Sequence, residues 1–275
     1  MKLYAICLVK NEDDIISQAL IHAIKFCDKV IVADNGSTDE TWSIIQTIAK
    51  EYPEKILPFG QLKVPFRNGL RSLIYNEFNY TLTDEDWWLR LDGDEFLVED
   101  PRPIIKKALN EKSDFIKAWQ AQFYFTEVDH QAWLAGKDNR NLPIFERRRF
   151  YCIDWREYRL FRNQPNLPWD EHLSAHWPNN LNKACSQLIY NRHYQYRDPE
   201  QIQKRLDTRR GVNKNTPERA FKHVLSQDWY DEIRPSKGLH YYTDDKPLKL
   251  NILDFYRNRL NLELLKRFPA ISQSK

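Results

Sequence analysis

Two aspartates, Asp92 and Asp94, flank a single glycine in the stretch "WWLRLDGDEFL" (87–97). On an extended backbone, residues i and i+2 point the same way, so the pair presents two carboxylates to one place. Such carboxylates repel unless a cation sits between them. An all-oxygen donor pair suits a hard divalent ion, Mn²⁺ or Mg²⁺. Gly93 lets a ligand approach the backbone, because it has no Cβ. An acidic turn or a helix cap uses the same residue types, but here the pair ends an apolar strand backed by Trp87, Trp88 and Leu89. Glu95 is one residue out of phase and is expected to brace the loop rather than bind the ion. Two basic pairs are candidates for a phosphate. Arg67 and Arg71 are four apart on one face of an expected helix, and Lys204 and Arg205 lie on another. A solvated basic face accounts for either pair equally well.

Elements that would position these groups follow from periodicity. "LYAICLV" (Leu3–Val9) and "KVIVAD" (Lys29–Asp34) are continuous apolar runs, as in strands covered on both faces. "KILPFG" and "DWWLRLD" read as a third and a fourth strand. Between them, Ile15 to Cys27, Trp42 to Ala49 and about Arg67 to Tyr80 carry apolar stripes at helical spacing. Ser37 with Glu40, or Asp39, is the expected cap of the second helix. Alternation of this kind builds a parallel, doubly wound sheet that binds ligands beyond the carboxyl ends of its strands. The polar clusters Lys10–Glu12, Asp34–Asn35 and Asp92–Glu95 should therefore meet along one edge. After Pro101–Pro103 the pattern changes to antiparallel strands (Asp114–Phe125 and Glu157–Asn163), then a helix over 198–210 capped by Asp198 with Pro199 in its first turn. The expectation is one domain: residues 1–100, a second half over 101–225, and a helical extension over 226–275.

Composition bounds the partners. The chain has 275 residues, 41% hydrophobic and 29% charged, which is the balance of a folded globular protein. A net charge of +3 is too mild to argue for nucleic acid. Arg147–Arg149 and Arg209–Arg210 are local basic clusters, which are usually solvated faces and sometimes anion or membrane contacts. None of Cys7, Cys27, Cys152 and Cys185 forms a C-x-x-C pair, so reduced thiols and a cytoplasmic setting are expected. Met1 leads directly into a strand, with no signal peptide in view, and no apolar run approaches the ~20 residues of a membrane span. A last helix over Pro247–Phe268 either docks on the core or lies on the inner face of a membrane with Lys249, Arg257, Arg259, Lys266 and Arg267 at the head groups.

"VKNEDDI", "VIVADNGSTDET" and "WWLRLDGDEFL", in that order after the first, second and fourth strands, resemble family 2-type glycosyltransferases of the GT-A fold. The resemblance is clear over about residues 1–100, and "RLFRN" (159–163) and "RHYQYRDPEQIQKR" (192–205) continue it. It implies an α/β, Rossmann-like, mostly parallel sheet flanked by helices, with an antiparallel acceptor-side part and C-terminal helices. It implies a nucleotide-diphospho-sugar donor and a saccharide or lipid-linked saccharide acceptor, with inversion at the sugar. The carry-over places Val9, Lys10, Asn11, Asp34 and Asn35 around the nucleoside. In it Asp92 reaches the ribose or a metal-bound water with Gly93 beside it at the donor, Asp94 ligates the metal, and His193 falls where the family has its third protein ligand, which makes Asp92, Asp94 and His193 the implied metal set. Asn35 stands where relatives usually have a second Asp. For the base, Asp170 and Glu171 in "LPWDEHLSAHW" are the candidates, with Trp169 beside them able to stack on a sugar and Asp129 in reserve. Asn76 matches a family position but falls opposite Arg67 on a helical wheel, and is set aside. Two other readings stand beside this one. A sugar-phosphate nucleotidyltransferase would want a Gly-rich basic loop where this chain has "VKNEDD", and a non-catalytic nucleotide-sugar-binding relative would have no need of Asp92, Asp94 and His193 together.

Overall fold

Each apolar run of the first hundred residues forms a strand and each amphipathic segment a helix: β1 (Leu3–Val9), α1 (Ile16–Ala23), β2 (Lys29–Asp34), α2 (Thr41–Glu51), β3 (Ile56–Gln61), α3 (Arg71–Phe78) and β4 (Trp87–Leu91). Beyond them come β5 (Glu95–Leu97), α4 (Arg102–Asn110), β6 (Phe115–Phe123), α5 (Glu127–Leu134), α6 (Ile144–Arg147), β7 (Phe150–Arg162), β8 (Ile189–His193), α7 (Pro199–Asn215) and β9 (His240–Tyr241). This computed structural model describes residues 1–170, 177–215, 221, 226–244 and 246–250. Most of the expected last helix over 247–268 lies outside the described residues. No helix among the described residues is long and apolar enough to cross a membrane.

The strands join in one nine-stranded sheet in the order β3-β2-β1-β4-β7-β6-β8-β5, with β9 on β7. The β3-β2-β1-β4 half is parallel. In the other half β7 runs antiparallel to β4 and β6, β8 runs parallel to β6, and β5 runs antiparallel to β8. The expected α/β class, with a parallel half and an antiparallel extension, is present. Alternate residues of β1 enter two separate cores. Leu3, Ala5, Cys7 and Val9 pack with α1 and α2, whereas Ile6 and Leu8 pack with Leu70, Ile74 and Tyr75. β4 divides in the same way, with Trp87, Leu89 and Leu91 in the first core and Trp88 in the second.

Topology makes the Asp92–Asp94 link a closure point. β4 and β5 are adjacent in sequence yet stand four places apart in the sheet order. In a flat sheet that separation is about 19 Å, whereas the four peptide steps from Leu91 to Glu95 reach at most about 14 Å. The second half of the sheet must curl back, and β5 then zips against β8 with Glu95 opposite His193.

Two local expectations change. Arg67 is not on the helix. It precedes the turn that opens at Asn68 and has extended backbone angles (φ −146°, ψ 150°), so it shares no helical face with Arg71. Arg147 and Arg148 are buried rather than solvated, held by Asp138, Asp198 and the Arg197 carbonyl.

Candidate active site

Three parallel strands end at one edge because of their register: Val9 pairs with Asp34, and Cys7 with Leu91. The loops beyond β1 and β2 are tied together there. Asn11 takes a left-handed conformation (φ 56°), donates its backbone N–H to Ser37 Oγ at 2.9 Å, and accepts from the Thr38 N–H at 2.8 Å. Asp34 is fully buried and accepts from Ser37 N–H at 3.0 Å, Ser37 Oγ at 2.5 Å and Gln61 Nε2 at 2.8 Å. Asn35 is buried too, and its amide donates to the carbonyls of Leu62 and Val64, both at 2.8 Å. The Asp34 side chain thus shapes, through Ser37, the loop that carries Val9, Lys10 and Asn11, while the Asn35 side chain pins the stretch after β3 and its backbone N–H holds Val9 O. Ser37 is a partner of Asp34 rather than a helix cap. The cap position of α2 is Glu40, with no side-chain capping bond; Asp39, just before it, accepts from Thr41 N–H at 3.0 Å and Thr41 Oγ1 at 2.6 Å, and receives Lys204 Nζ at 2.6 Å.

Asp92 and Asp94 do not face one way. The chain turns after β4, with the Glu95 N–H bonded to Asp92 O at 3.2 Å, so the strand geometry that would align positions i and i+2 stops at Leu91. Asp92 stays on the Trp88–Arg90 side and is enclosed by guanidinium groups: Arg71 at 2.6 Å, Arg159 at 3.0 Å and Arg90 at 3.2 Å. Burial alone would raise its pKa, but Arg90, Arg71 and Arg159 hold it well below the usual carboxylate range. Glu157 on β7 shares two of these arginines, with Arg90 at 3.3 Å and Arg159 in direct contact. Glu95 braces the turn as expected, buried against Arg159, and burial pushes its pKa up to about 7.

Asp94 faces the other way, toward α7 and β8. Its Oδ2 lies 3.0 Å from Arg205 Nη1, 3.3 Å from His193 Nε2 and 3.9 Å from Arg197 Nη1. Against the effect of burial, His193 and Arg205 hold its pKa far below the ordinary value, and Asp94 in turn raises that of His193. Arg205 also meets Glu12 at 3.0 Å, and fully buried Arg197 binds Asp14 and Glu12, so two of the three acids of the loop after β1 are held by arginines. Arg209, one turn beyond Arg205, is pushed down to about 10 by burial and by Arg205, and stacks 5.1 Å over Phe221. Gly93 approaches Val9, Ile16 and Glu12 rather than open space.

This geometry tests a divalent cation directly. Among the described residues no group of three or more His, Cys, Asp or Glu is placed to hold one. Asp92 does not join the set, because three arginines already compensate it. Asp94 and His193 do fit as a pair. Gln122 Nε2 lies 2.9 Å from His193 Nδ1 while its own Oε1 is buried with no partner among the described residues. Reversing that amide lets Nδ1–H donate to Oε1 and leaves the Nε2 lone pair facing Asp94, the tautomer a metal needs.

On the far side of Asp92 the expected base region is only partly described. Asp170 is exposed, while Glu171 lies outside the described residues. Trp169 is buried with Tyr75 and Phe161 and cannot stack on a sugar. Asn76 clamps the Trp169 backbone through two 2.8 Å hydrogen bonds, a role the helical wheel hid because its partner comes from a distant loop. Asp129 is a capping-box residue of α5 with Thr126, which accounts for its burial and removes it as a base. Arg90, Glu157 and Arg159 were missed as site residues. Their one signal was charge inside the strands "WWLRLD" and "EYRLFRN".

The model of glycosyl transferase family 2 matches residues 5–169. A search of curated proteins returned no match. Among solved structures, the chain is similar to residues 1–349 of S. aureus TarS, at 15% identity over 82% of this chain and 70% of that one, with a TM-score of 0.44. The same TarS segment in complex with UDP gives 16% identity, 78% and 65% coverage and a TM-score of 0.41. The mannosyltransferase PcManGT from Pyrobaculum calidifontis, in complex with GDP-Man and Mn²⁺, gives 14%, 82% and 68%, and 0.43. In a longer TarS structure the matched part is 39% of that chain.

Proposed function

The chain belongs to glycosyl transferase family 2, and from that premise we propose that it moves a sugar from a nucleotide-diphosphate donor to an acceptor hydroxyl, with inversion. The observation that carries the reading is the meeting of Asp94 with His193 and Arg205 beyond the carboxyl end of β4. A cation on Asp94 and His193, with the donor's own phosphate oxygens as further ligands, would supply charge neutralisation for the leaving diphosphate. Arg205 and Arg209, crowded enough to depress the Arg209 pKa, bind the same anion, and Lys204 lies one step away on Asp39. Val9, Lys10 and Asn11 offer backbone and amide groups to the nucleoside on a loop that Asp34 and Asn35 hold in shape. Arg71 and Arg90 fix Asp92 at the donor sugar. Asp170 or Glu171 takes the acceptor proton, a step worth about 10²–10⁴-fold. Nucleotidyl transfer is disfavoured, since the loop after β1, "VKNEDD", holds no glycine and carries three acids where a triphosphate would need a Gly-rich basic loop.

The test is a thermal-shift series with UDP, GDP, ADP and CDP, each with and without Mn²⁺. A Mn²⁺-dependent rise in melting temperature with one of them is expected, and no rise with any would sink the reading. Contact of the C-terminal stretch with a lipid surface, at the inner face of a membrane, belongs to the same proposal. Liposome flotation that is unchanged by truncation at residue 245 would remove it.

A further inference from the structure

Most of the described aromatic side chains around Asp92 and Asp94 are packed into the cores, but Trp155 is open. Trp155 is half exposed (50%), more than any other of the nine tryptophans. A single exposed indole on a surface needs no explanation by itself. Its place on β7 does.

β7 pairs with β4 only as far as Leu89–Leu160, so its segment from Arg159 back to Phe150 runs on past the carboxyl end of the parallel strands. On that segment Trp155 stands opposite Gln120, and Glu157 stands opposite Ala118. Positions two apart share a face, which puts the indole on the face that Glu157 presents to Arg90 and Arg159. The Gln120 amide lies 3.3 Å from Glu157 and 3.4 Å from Glu95, so its residue too faces the Asp92 cluster. Glu157 and Asp92 keep about a fifth of their side chains open, 22% and 23%. A second indole closes the cluster, with Arg90 lying 5.1 Å over the ring of Trp177.

An open flat apolar ring and a part-exposed carboxylate two residues along the strand, itself held by Arg90 and Arg159, make one constellation. Its chemistry matches a pyranose. The C–H face of the sugar buries against the indole, and adjacent hydroxyls pair with charged oxygen and nitrogen groups. We propose that Trp155 and Glu157 form the acceptor-saccharide subsite of this protein. Distance from the nucleoside loops points to acceptor over donor. The loops that carry Val9–Asn11 and Asp34 follow β1 and β2, on one flank of β4, and Trp155 stands on β7, the first strand of the other flank. This assignment rests on the glycosyltransferase reading and narrows the acceptor to a sugar ring bound at Trp155.

The experiment uses the full chain on an array of immobilised mono- and oligosaccharides, with UDP and GDP thermal shifts in Mn²⁺ measured on the same preparations. The wild type is expected to bind at least one pyranose-containing glycan. Trp155→Ala should weaken that binding about tenfold or more, roughly the worth of one well-packed aromatic contact. Trp155→Phe should keep most of it, and Glu157→Gln should weaken it while leaving the array pattern centred on the same sugars. Equal binding by wild type and Trp155→Ala, or no saccharide bound by a wild type that still shows the nucleotide shift, overturns the subsite. Loss of the nucleotide shift alone, with Trp155-dependent saccharide binding intact, overturns the donor reading and leaves the subsite standing.

Discussion

Gly93→Ala separates two reasons for a glycine between the aspartates. If Gly93 gives a ligand room, an alanine there should cost binding and leave stability alone. The structure points to packing instead. The backbone at Gly93 is not left-handed, so conformation does not demand glycine. A Cβ at this position would meet Val9 Cγ2 at 3.0 Å, Ile16 Cδ1 at 3.3 Å and Glu12 Cγ at 3.6 Å. The Ile16 methyl ends a flexible side chain and can move. Val9 is short, buried and fixed by its pairing with the end of β2, so it cannot. Such overpacking costs about 1–3 kcal/mol, or roughly 2–4 °C of melting temperature per kcal/mol in a chain of this size. Urea denaturation of Gly93→Ala, Val9→Ala and the double variant is the assay. Val9→Ala alone should cost roughly 1.5–3 kcal/mol through lost burial and a cavity. In the double variant the new methyl fills space that the valine has vacated, so the double should be more stable than the sum of the singles by about 1 kcal/mol or more. Strict additivity, or a Gly93→Ala protein as stable as wild type, would refute the packing argument and return the glycine to the ligand.

Three further outcomes are expected. Asp94→Ala and His193→Ala should each abolish the Mn²⁺-dependent part of the nucleoside diphosphate thermal shift, whereas Asp92→Asn should keep it, because Asp92 faces Arg71, Arg90 and Arg159. Asp129→Ala should lower stability by about 1 kcal/mol through loss of the α5 capping box and leave the nucleotide shift unchanged; loss of the shift would reinstate Asp129 at the site. Asp198 is held below the usual carboxylate range, against burial, by Arg140 and the Gln201 N–H. Its folded pKa lies below the unfolded value of about 3.9, so its stabilisation is present above that pH and lost as pH falls through the folded pKa. The stability gap between wild type and Asp198→Asn, measured from pH 7 down to 2, should therefore close at the acid end, and a gap constant with pH would show that the charge contributes nothing.

Periodicity and order in the sequence determined the four parallel strands, the helices between them and the edge where Lys10–Glu12, Asp34–Asn35 and Asp92–Glu95 meet, because burial on both faces demands apolar runs and the βαβ connection allows one handed outcome. Glu95's bracing role was legible for the same reason, being a matter of phase along one strand. Tertiary structure alone decided which cation each acid would face. Asp92 and Asp94 are two residues apart, yet they diverge because the sheet must curl to bring β5 beside β8, and that turn falls on Gly93. The arginines that compensate them come from α3, β4, β7 and α7, separations over which charge leaves no period to read. Trp169 and Trp155 show the same limit. Both are tryptophans beside acids in sequence, but one is buried under α3 and the other stands open on the site face of β7, a difference set by packing that no local pattern carries.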